Sequence, residues 1–424
     1  MRFNARTAAV RLGLLLTILS PAPAAATDEV IVAYEKDSSR DERVDARAAA
    51  GVADKLMPLE LAGAKLVRVV GGSRAAVAQL ERQPGVSYAE RNSRVTVAGP
   101  GPRPNDPGFT GTYALNNRGQ GGGLRDADID APEGWKAAGL AGFPLAGGPR
   151  IAVIDTGIDR THPDLRGRVV QCAQSRPPLL FAPRFVEGSC SDDNGHGTHV
   201  SGIIAANANN SEGIAGVAFN AKLMICRALG GIAGDGTLAD VVACIDWAAR
   251  NGAEVINLSL EAGFSPTLER SVQQAWRGGD GALLLAAAGN RGSSVRFPAG
   301  SSAVVSVGAT DRSDRRANFS NANSDVELSA PGADILSTRL GGGYVLSEGT
   351  SQAAPQAAGV AGLLLSARPK LNGEDTRRIL RRSSDDLGQR GRDSAFGAGR
   401  VNLCNALRGD CSYAPDRKRD KRRR

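Results

Sequence analysis

The chain has 424 residues, only three of them histidine, with six cysteines and a formal charge of +8. The excess charge is local: the tail "DRKRDKRRR", Asp416 to Arg424, carries +5 and the first 26 residues carry +3, which leaves the remainder neutral. A neutral body gives no electrostatic ground for a nucleic-acid partner, and after the first residues no unbroken run of roughly 18 apolar residues stands to span a membrane.

Residues 1–26 combine Arg2, Arg6 and Arg11 with the apolar run "LGLLLTILS" and the small-residue stretch "PAPAAA". That order predicts a secretory signal peptide, so a secreted, periplasmic or cell-envelope protein is expected. Residues 27–98 predict a small α+β module: a strand at "DEVIVAYE", a helix to Ala50, a strand at "AKLVRVVGG", a helix at "SRAAVAQLERQPG" and a strand or hairpin at "VSYAERNSRVTVA". The Gly/Pro-rich "AGPGPRPNDPG" marks a boundary before a main domain over residues 99–410, and residues 411–424 read as a solvated basic tail.

From Arg150 the pattern changes to apolar strand candidates, "RIAVID", "AKLMICRAL", "AEVINLSL", "GALLLAAAG" and "SAVVSVGAT", alternating with helices at "GTHVSGIIAANA", "LADVVACIDWAARNG" and "TLERSVQQAWRGG". Strands apolar along their whole length, each followed by a helix, need a sheet covered on both faces. The predicted fold is α/β, a doubly wound and mostly parallel sheet in a three-layer sandwich, whose chemistry belongs at the carboxyl ends of its strands. The cysteines fall in sequential couples, Cys172 with Cys190, Cys226 with Cys244 and Cys404 with Cys411, and none has CxxC spacing. In an exported chain such cysteines predict disulfides, with sequential pairing expected.

Four polar residues stand where those strands end or their helices begin. Asp155 follows "RIAVI" and could equally cap a turn; His196 and His199 lie in "SDDNGHGTHV", a spacing open to a metal site, a general base or two buried imidazoles. Ser351 stands at the mouth of the helix in "GTSQAAPQAAGVAGLLLSA", as a nucleophile favoured by the helix dipole or as a plain N-cap. Asn290 closes "LLLAAAGN", as an oxyanion donor or a turn residue.

Taken in order, "VIDTGID", "THPDL", "NGHGTHVSG", "VINLSL", "AAAGN", "FPA", "SVGAT", "SAPG" and "GTSQAAPQAAGVAGLL" resemble the blocks of the subtilisin-like serine proteases across roughly residues 105 to 408. The resemblance implies a serine endopeptidase with Asp155, His196 and Ser351 as triad, Asn290 and the Ser351 N–H as oxyanion hole, and His199 as a structural imidazole. It also implies an extended peptide or protein substrate along Ser259, Leu260 and Glu261, with Ala288, Gly289 and Arg291 about the side-chain pocket. Glu261 and Ala262 stand where glycines are usual in the family, and two readings of Glu261 and Arg291 are open: an ion pair across the pocket rim, or two solvated charges. Gln352 and Gln356 depart from the family's methionine and histidine. A structural calcium ion is implied near Asp106, Asp164 and Asn210 with carbonyls of Ala208, Glu212 and Ile214. The module at 27–98 resembles the family's inhibitor-type, ferredoxin-like propeptide, which implies a self-processing zymogen cut between Val97 and Asn105, monomeric once mature. Two rival readings remain: a metal-dependent hydrolase built on His196 and His199, which lacks an HExxH glutamate, and a binding protein that keeps the fold without turnover.

Overall fold

A computed structural model of the chain describes residues 29–59, 63–92, 101–175 and 185–408. The predicted signal peptide, the segment after Asn92 that would enter the linker, Cys411 and the basic tail lie outside the described residues. The chain divides into two compact units at Val97/Ala98.

The first unit runs β1 (Glu29–Tyr34), α1 (Arg40–Ala49), β2 (Val52–Leu59), β3 (Ala64–Val69), α2 (Ser73–Leu80) and β4 (Val86–Arg91). Its antiparallel sheet has the order β2-β3-β1-β4, the ferredoxin-like arrangement expected. Val30 and Val32 from β1, Val67 and Val69 from β3, and Ala46, Ala76 and Leu80 from the helices form its core. A Ser39–Glu42 capping box starts α1. Sequence reading missed β2. It is an edge strand with Pro58 and two register shifts, mostly exposed, so it carries no two-residue apolar alternation.

The second unit opens with α3 (Ala131–Ala137) and then builds an eight-stranded sheet from β5 (Arg150–Asp155), β6 (Val169–Ser175), β7 (Phe185–Glu187), β8 (Lys222–Arg227), β11 (Val255–Leu258), β12 (Leu283–Ala287), β13 (Val304–Thr310) and β14 (Leu328–Pro331). Between β8 and β11 come a two-residue hairpin, β9 (Leu229–Gly230) with β10 (Asp235–Gly236), and helix α5 (Leu238–Arg250). The sheet order is β14-β13-β12-β11-β5-β8-β6-β7, parallel throughout except for β7. All five predicted strands are present; β6, β7 and β14 are additions, the first two partly exposed and the third only four residues long. The predicted helices are α4 (His196–Ala205), α5, α6 (Pro266–Trp276) and α7 (Thr350–Ala367); α8 (Gly373–Ser383) and α9 (Leu403–Ala406) are additions, and the hairpin β15 (Ile335–Thr338) and β16 (Tyr344–Ser347) comes before α7.

Strand order turns back on itself at β5, with β8 on one side and β11 on the other. A crevice opens at such a point beyond the strand ends. Helix α7 is apolar nearly all round and buried against β11 to β14 and α4. It lies close because a Cβ at Gly359 would stand 2.6 Å from Val217 Cβ. Its first turn, with Ser351, is thereby fixed over the crevice.

Cys172–Cys190 and Cys226–Cys244 are paired sequentially, as expected, and Cys404 is also disulfide-bonded. No helix among the described residues is long and apolar enough to cross a membrane.

Candidate active site

Asp155 ends β5, fully buried. Its Oδ1 accepts from His196 Nδ1 at 2.8 Å and from the Thr156 N–H at 2.7 Å, while Oδ2 is buried without a partner. A carboxylate can only accept, so Nδ1 carries the proton and Nε2 is the basic atom of the ring. The Asp155 charge raises the His196 pKa above its ordinary value, burial opposes that shift, and Asp192 adds to it.

Asp192 binds both sides of this pair. Its Oδ1 accepts from Thr156 Oγ1 at 2.8 Å, Gly195 N–H at 2.9 Å and Asn194 N–H at 3.0 Å; its Oδ2 accepts from Thr198 Oγ1 at 2.6 Å and Thr198 N–H at 2.9 Å. Thr156 Oγ1 in turn accepts from Gly197 N–H at 2.8 Å. Burial works against the Asp192 charge, yet these donors hold its pKa below the usual carboxylate value. Sequence reading overlooked Asp192 and Thr156; the signal available was an Asp three residues before the N-cap Gly195 of a helix that opens on a histidine.

His199, three residues along α4, is buried against the β15–β16 hairpin. Its Nε2 donates to the Val345 carbonyl at 3.2 Å and its Nδ1 is buried without a partner. Burial depresses its pKa to about 4, so it is neutral at ordinary pH. The two histidines therefore sit in different environments, one at the crevice and one in the packing.

Ser351 is the second residue of α7, and its hydroxyl donates to the Ser259 carbonyl at 3.2 Å. The Ser259 hydroxyl returns a bond to the Ser351 carbonyl at 2.9 Å, joining the end of β11 to the start of α7. Asn290 Oδ1 accepts from the Thr350 N–H and Oγ1, both at 2.8 Å, so its amide nitrogen is the end left for the crevice. Thr350 was likewise missed in the sequence.

His196, Asn290 and Ser351 share a cleft of about 890 Å³, lined by Ser259 to Glu261, by Gly289 and Arg291, and by Gly234 to Leu238 with Val241. Ala288 departs from expectation. It is fully buried, with its N–H given to Val307 and its carbonyl taken by Arg296 and Asn321, and Ala287 lines the cleft instead. The Glu261–Arg291 pair is formed, with Arg291 Nη2 at 3.0 Å and Nε at 3.2 Å from Glu261 Oε1. Gln352 and Gln356 are both buried, and Gln356 Oε1 lacks a partner.

Of the residues expected about a cation, Asp106 and Asp164 are each hydrogen-bonded to Asn210. Asp106 Oδ2 and Oδ1 accept from the N–H groups of Asn209 (2.8 Å) and Asn210 (3.0 Å). Asp164 Oδ1 accepts from Asn210 Nδ2 at 2.8 Å, and its Oδ2 from the Ile214 N–H at 2.9 Å and Tyr344 Oη at 3.0 Å. The Glu212 N–H donates to Asn210 Oδ1 at 3.0 Å. Burial raises the pKa of both carboxyls, and each Asp106–Asp164 charge disfavours the other, a cost that a hard cation offsets. Among the described residues no group of three or more His, Cys, Asp or Glu side chains could hold a metal, so amide and carbonyl oxygens must supply most of such a site.

With this geometry in hand, comparison with known proteins is direct. Residues 146–399 match the subtilase family model (Peptidase_S8), and residues 20–92 match the fervidolysin N-terminal prodomain. The chain is 38% identical over 385 residues to the thermophilic serine proteinase of Bacillus sp. (strain AK1), covering 89% of this chain and 87% of that protein. It is 36% identical over 332 residues to the thermostable alkaline protease of Halalkalibacterium halodurans, covering 77% and 79%. A solved protease from Pseudoalteromonas arctica superimposes with a TM-score of 0.62 at 29% identity, over 72% of this chain and 98% of that one. The chain belongs to the subtilase family: it is a serine endopeptidase with an N-terminal prodomain.

Proposed function

We propose that the mature enzyme hydrolyses peptide bonds through an acyl-enzyme formed on Ser351, with His196 as general base and acid and Asp155 as its orienting carboxylate. Ser351 Oγ attacks the scissile carbonyl while His196 Nε2 takes its proton; the same proton then goes to the leaving amine, and water repeats the sequence to release the acid. Asp155 stays ionised. Because its Oδ2 has no partner, the carboxylate gains most when the imidazole becomes imidazolium. The Asn290 amide and the Ser351 N–H receive the oxyanion. The observation that carries this reading is the 2.8 Å Asp155–His196 bond opening into the cleft that Ser351 and Asn290 share. Ser351 bonded to the Ser259 carbonyl is compatible with it, since catalytic hydrogen bonds tighten when substrate binds.

In the same reading an extended peptide or protein substrate adds a strand beside residues 259–261. Residues 1–26 direct export, residues 27–98 act as an intramolecular inhibitor until the chain is cut between Val97 and Asn105, and residues 99–410 form the monomeric catalytic part. A structural calcium ion would be held by Asp106, Asp164, Asn210 and carbonyls of Ala208, Glu212 and Ile214; it would supply charge neutralisation and take no part in the reaction.

Casein hydrolysis by the mature protein tests the chemistry. Loss with a serine-directed covalent inhibitor and in Ser351→Ala, but not with a chelator that spares calcium, is expected. Loss only with that chelator would favour a metal hydrolase on His196 and His199, and no cleavage at all a binding protein. The Ser351→Ala chain should also keep its prodomain; processing at the normal rate counts against self-cleavage.

A further inference from the structure

Beyond the ends of β11 and β12, residues 259–262 and 288–291 separate to form two walls. The segment at Arg296 and Phe297 joins them at the far end: the Ala262 N–H donates to the Phe297 carbonyl at 2.6 Å, and the Arg296 N–H to the Ala288 carbonyl at 3.0 Å. Ser351 and Asn290 stand at the near end. A substrate residue whose carbonyl lies on those two groups puts its side chain into the slot between the walls.

That slot is crossed by charge. Glu261 reaches from one wall and Arg291 from the other, joined through Glu261 Oε1. The second oxygen, Oε2, hangs over Gly289: a Cβ built on that glycine, whose φ is +108°, would lie 3.0 Å from Glu261 Oε2 and 2.9 Å from Arg296 Cγ. The Arg296 Nε is buried with no partner among the described residues, so the far end is polar as well. Asn321 fixes the Arg291 wall, its Oδ1 accepting from the N–H groups of Arg291 and Ser293 at 2.9 Å and its Nδ2 donating to the Ala288 carbonyl at 3.0 Å. The wall therefore cannot swing aside to admit a large side chain. Room has to come from breaking the ion pair.

We propose that the Glu261–Arg291 pair is a bar across the pocket for the residue on the acyl side of the scissile bond, selecting a short uncharged side chain such as Ala over an aromatic one. This rests on the proposed roles of Ser351 and Asn290. A small side chain fits beneath the bar. A phenyl ring has to displace it, takes solvation from the Glu261 carboxylate, and offers no acceptor to the buried Arg296 Nε. Arg291 is 68% exposed and Glu261 31%, and exposed pairs are weak, so the selection is worth only about two- to fivefold from the pair itself.

The test compares kcat/KM for two peptides that differ only in Ala or Phe at that residue, using the mature enzyme. In Glu261→Gly and Arg291→Ala the Phe/Ala ratio should rise by about threefold or more. The charge-swapped E261R/R291E should bring it back toward the parent value. Raising NaCl should lift the ratio in the parent and leave it level in Glu261→Gly, because only the parent has a pair to screen. An unchanged ratio in both single variants overturns the proposal while the proposed catalytic roles stand. Turnover surviving in Ser351→Ala would instead remove those roles, and the pocket assignment with them.

Discussion

The Thr156 hydroxyl donates to Asp192 at 2.8 Å and accepts from the Gly197 N–H at 2.8 Å, so the residue after Asp155 is tied to the helix that carries His196. Orientation of the imidazole thus depends on a carboxylate that touches neither reacting atom. Asp192→Asn keeps the size but cannot accept on both branches, and at least two of its five donors are left facing an amide N–H. We expect kcat/KM to fall by about tenfold to a hundredfold. The negative charge of Asp192 also helps raise the His196 pKa, alongside the larger effect of Asp155. A general base works when neutral, so activity rises as pH passes the His196 pKa; removing the Asp192 charge lowers that pKa. The acid limb of the kcat/KM profile should move to lower pH. A loss of rate with the limb in place would assign Asp192 to packing alone.

The two histidines of "SDDNGHGTHV" should separate by assay. His196→Ala is expected to lose about a thousandfold or more in kcat with little change in melting temperature. His199 should affect stability, with a definite pH dependence. Its folded pKa, about 4, lies below the ordinary 6.5 of the unfolded chain, so the unfolded state binds the extra proton between those values. The neutral, buried form is fully favourable above about pH 6.5, and stability is lost as pH falls toward 4. His199→Gln, which retains a donor toward Val345, should flatten that part of the melting-temperature profile. An unaltered slope between pH 6.5 and 4 would mean that another group governs it.

How much of this could be read from the sequence depended on chemistry that repeats along the chain. Asp155, His196, Asn290 and Ser351 were legible because each follows an apolar run or opens one, which locates strand ends and helix starts before any contact is known. The β5, β8, β11, β12 and β13 strands declared themselves in the same way, through burial on both faces. What was illegible lacks such a run. Asp192 and Asn321, from loops, and Thr350, from the first position of α7, act through hydrogen bonds to partners set by tertiary packing, which the local sequence does not identify. β2 is an exposed edge whose apolar residues do not alternate, and whether Ala287 or Ala288 faces the cleft depends on where β12 stops pairing. The Glu261–Arg291 pair was legible for a different reason: both residues flank sites already identified by their apolar strands.

Asn290 is aimed by Thr350, whose N–H and hydroxyl both bind its Oδ1. Its amide nitrogen should thus be paired with the oxyanion more strongly than with a ground-state carbonyl. Asn290→Ala is expected to lower kcat by about 10²–10³ with KM little changed; that magnitude comes from the loss of one such donor in a related subtilisin. Thr350→Val removes the hydroxyl half of the support, and a smaller loss in kcat is expected with the Asn290 amide still present. If both variants raise KM while leaving kcat alone, the amide binds substrate and not the transition state.

The loop at 208–214 offers the clearest stability test. Asp164 is completely buried, burial raises its pKa, and the groups facing it are Asn210, the Ile214 N–H, Tyr344, His162 and the like charge of Asp106. Its folded pKa lies above the unfolded one, so without a cation its contribution to stability is present below the unfolded pKa and declines as pH rises through the folded value. A bound dication reverses that sign by favouring the carboxylate. Calcium at a hundredfold excess over its dissociation constant should add about 2.7 kcal/mol, read as a higher melting temperature that a chelator removes. Asp164→Asn should lose most of the calcium response, because the one buried carboxylate nearest Asn210 is gone, and in chelator it should melt no lower than the parent at alkaline pH. An identical melting temperature with calcium and with chelator, in the parent at neutral pH, would reject the site and leave Asp106 and Asp164 as loop fasteners only.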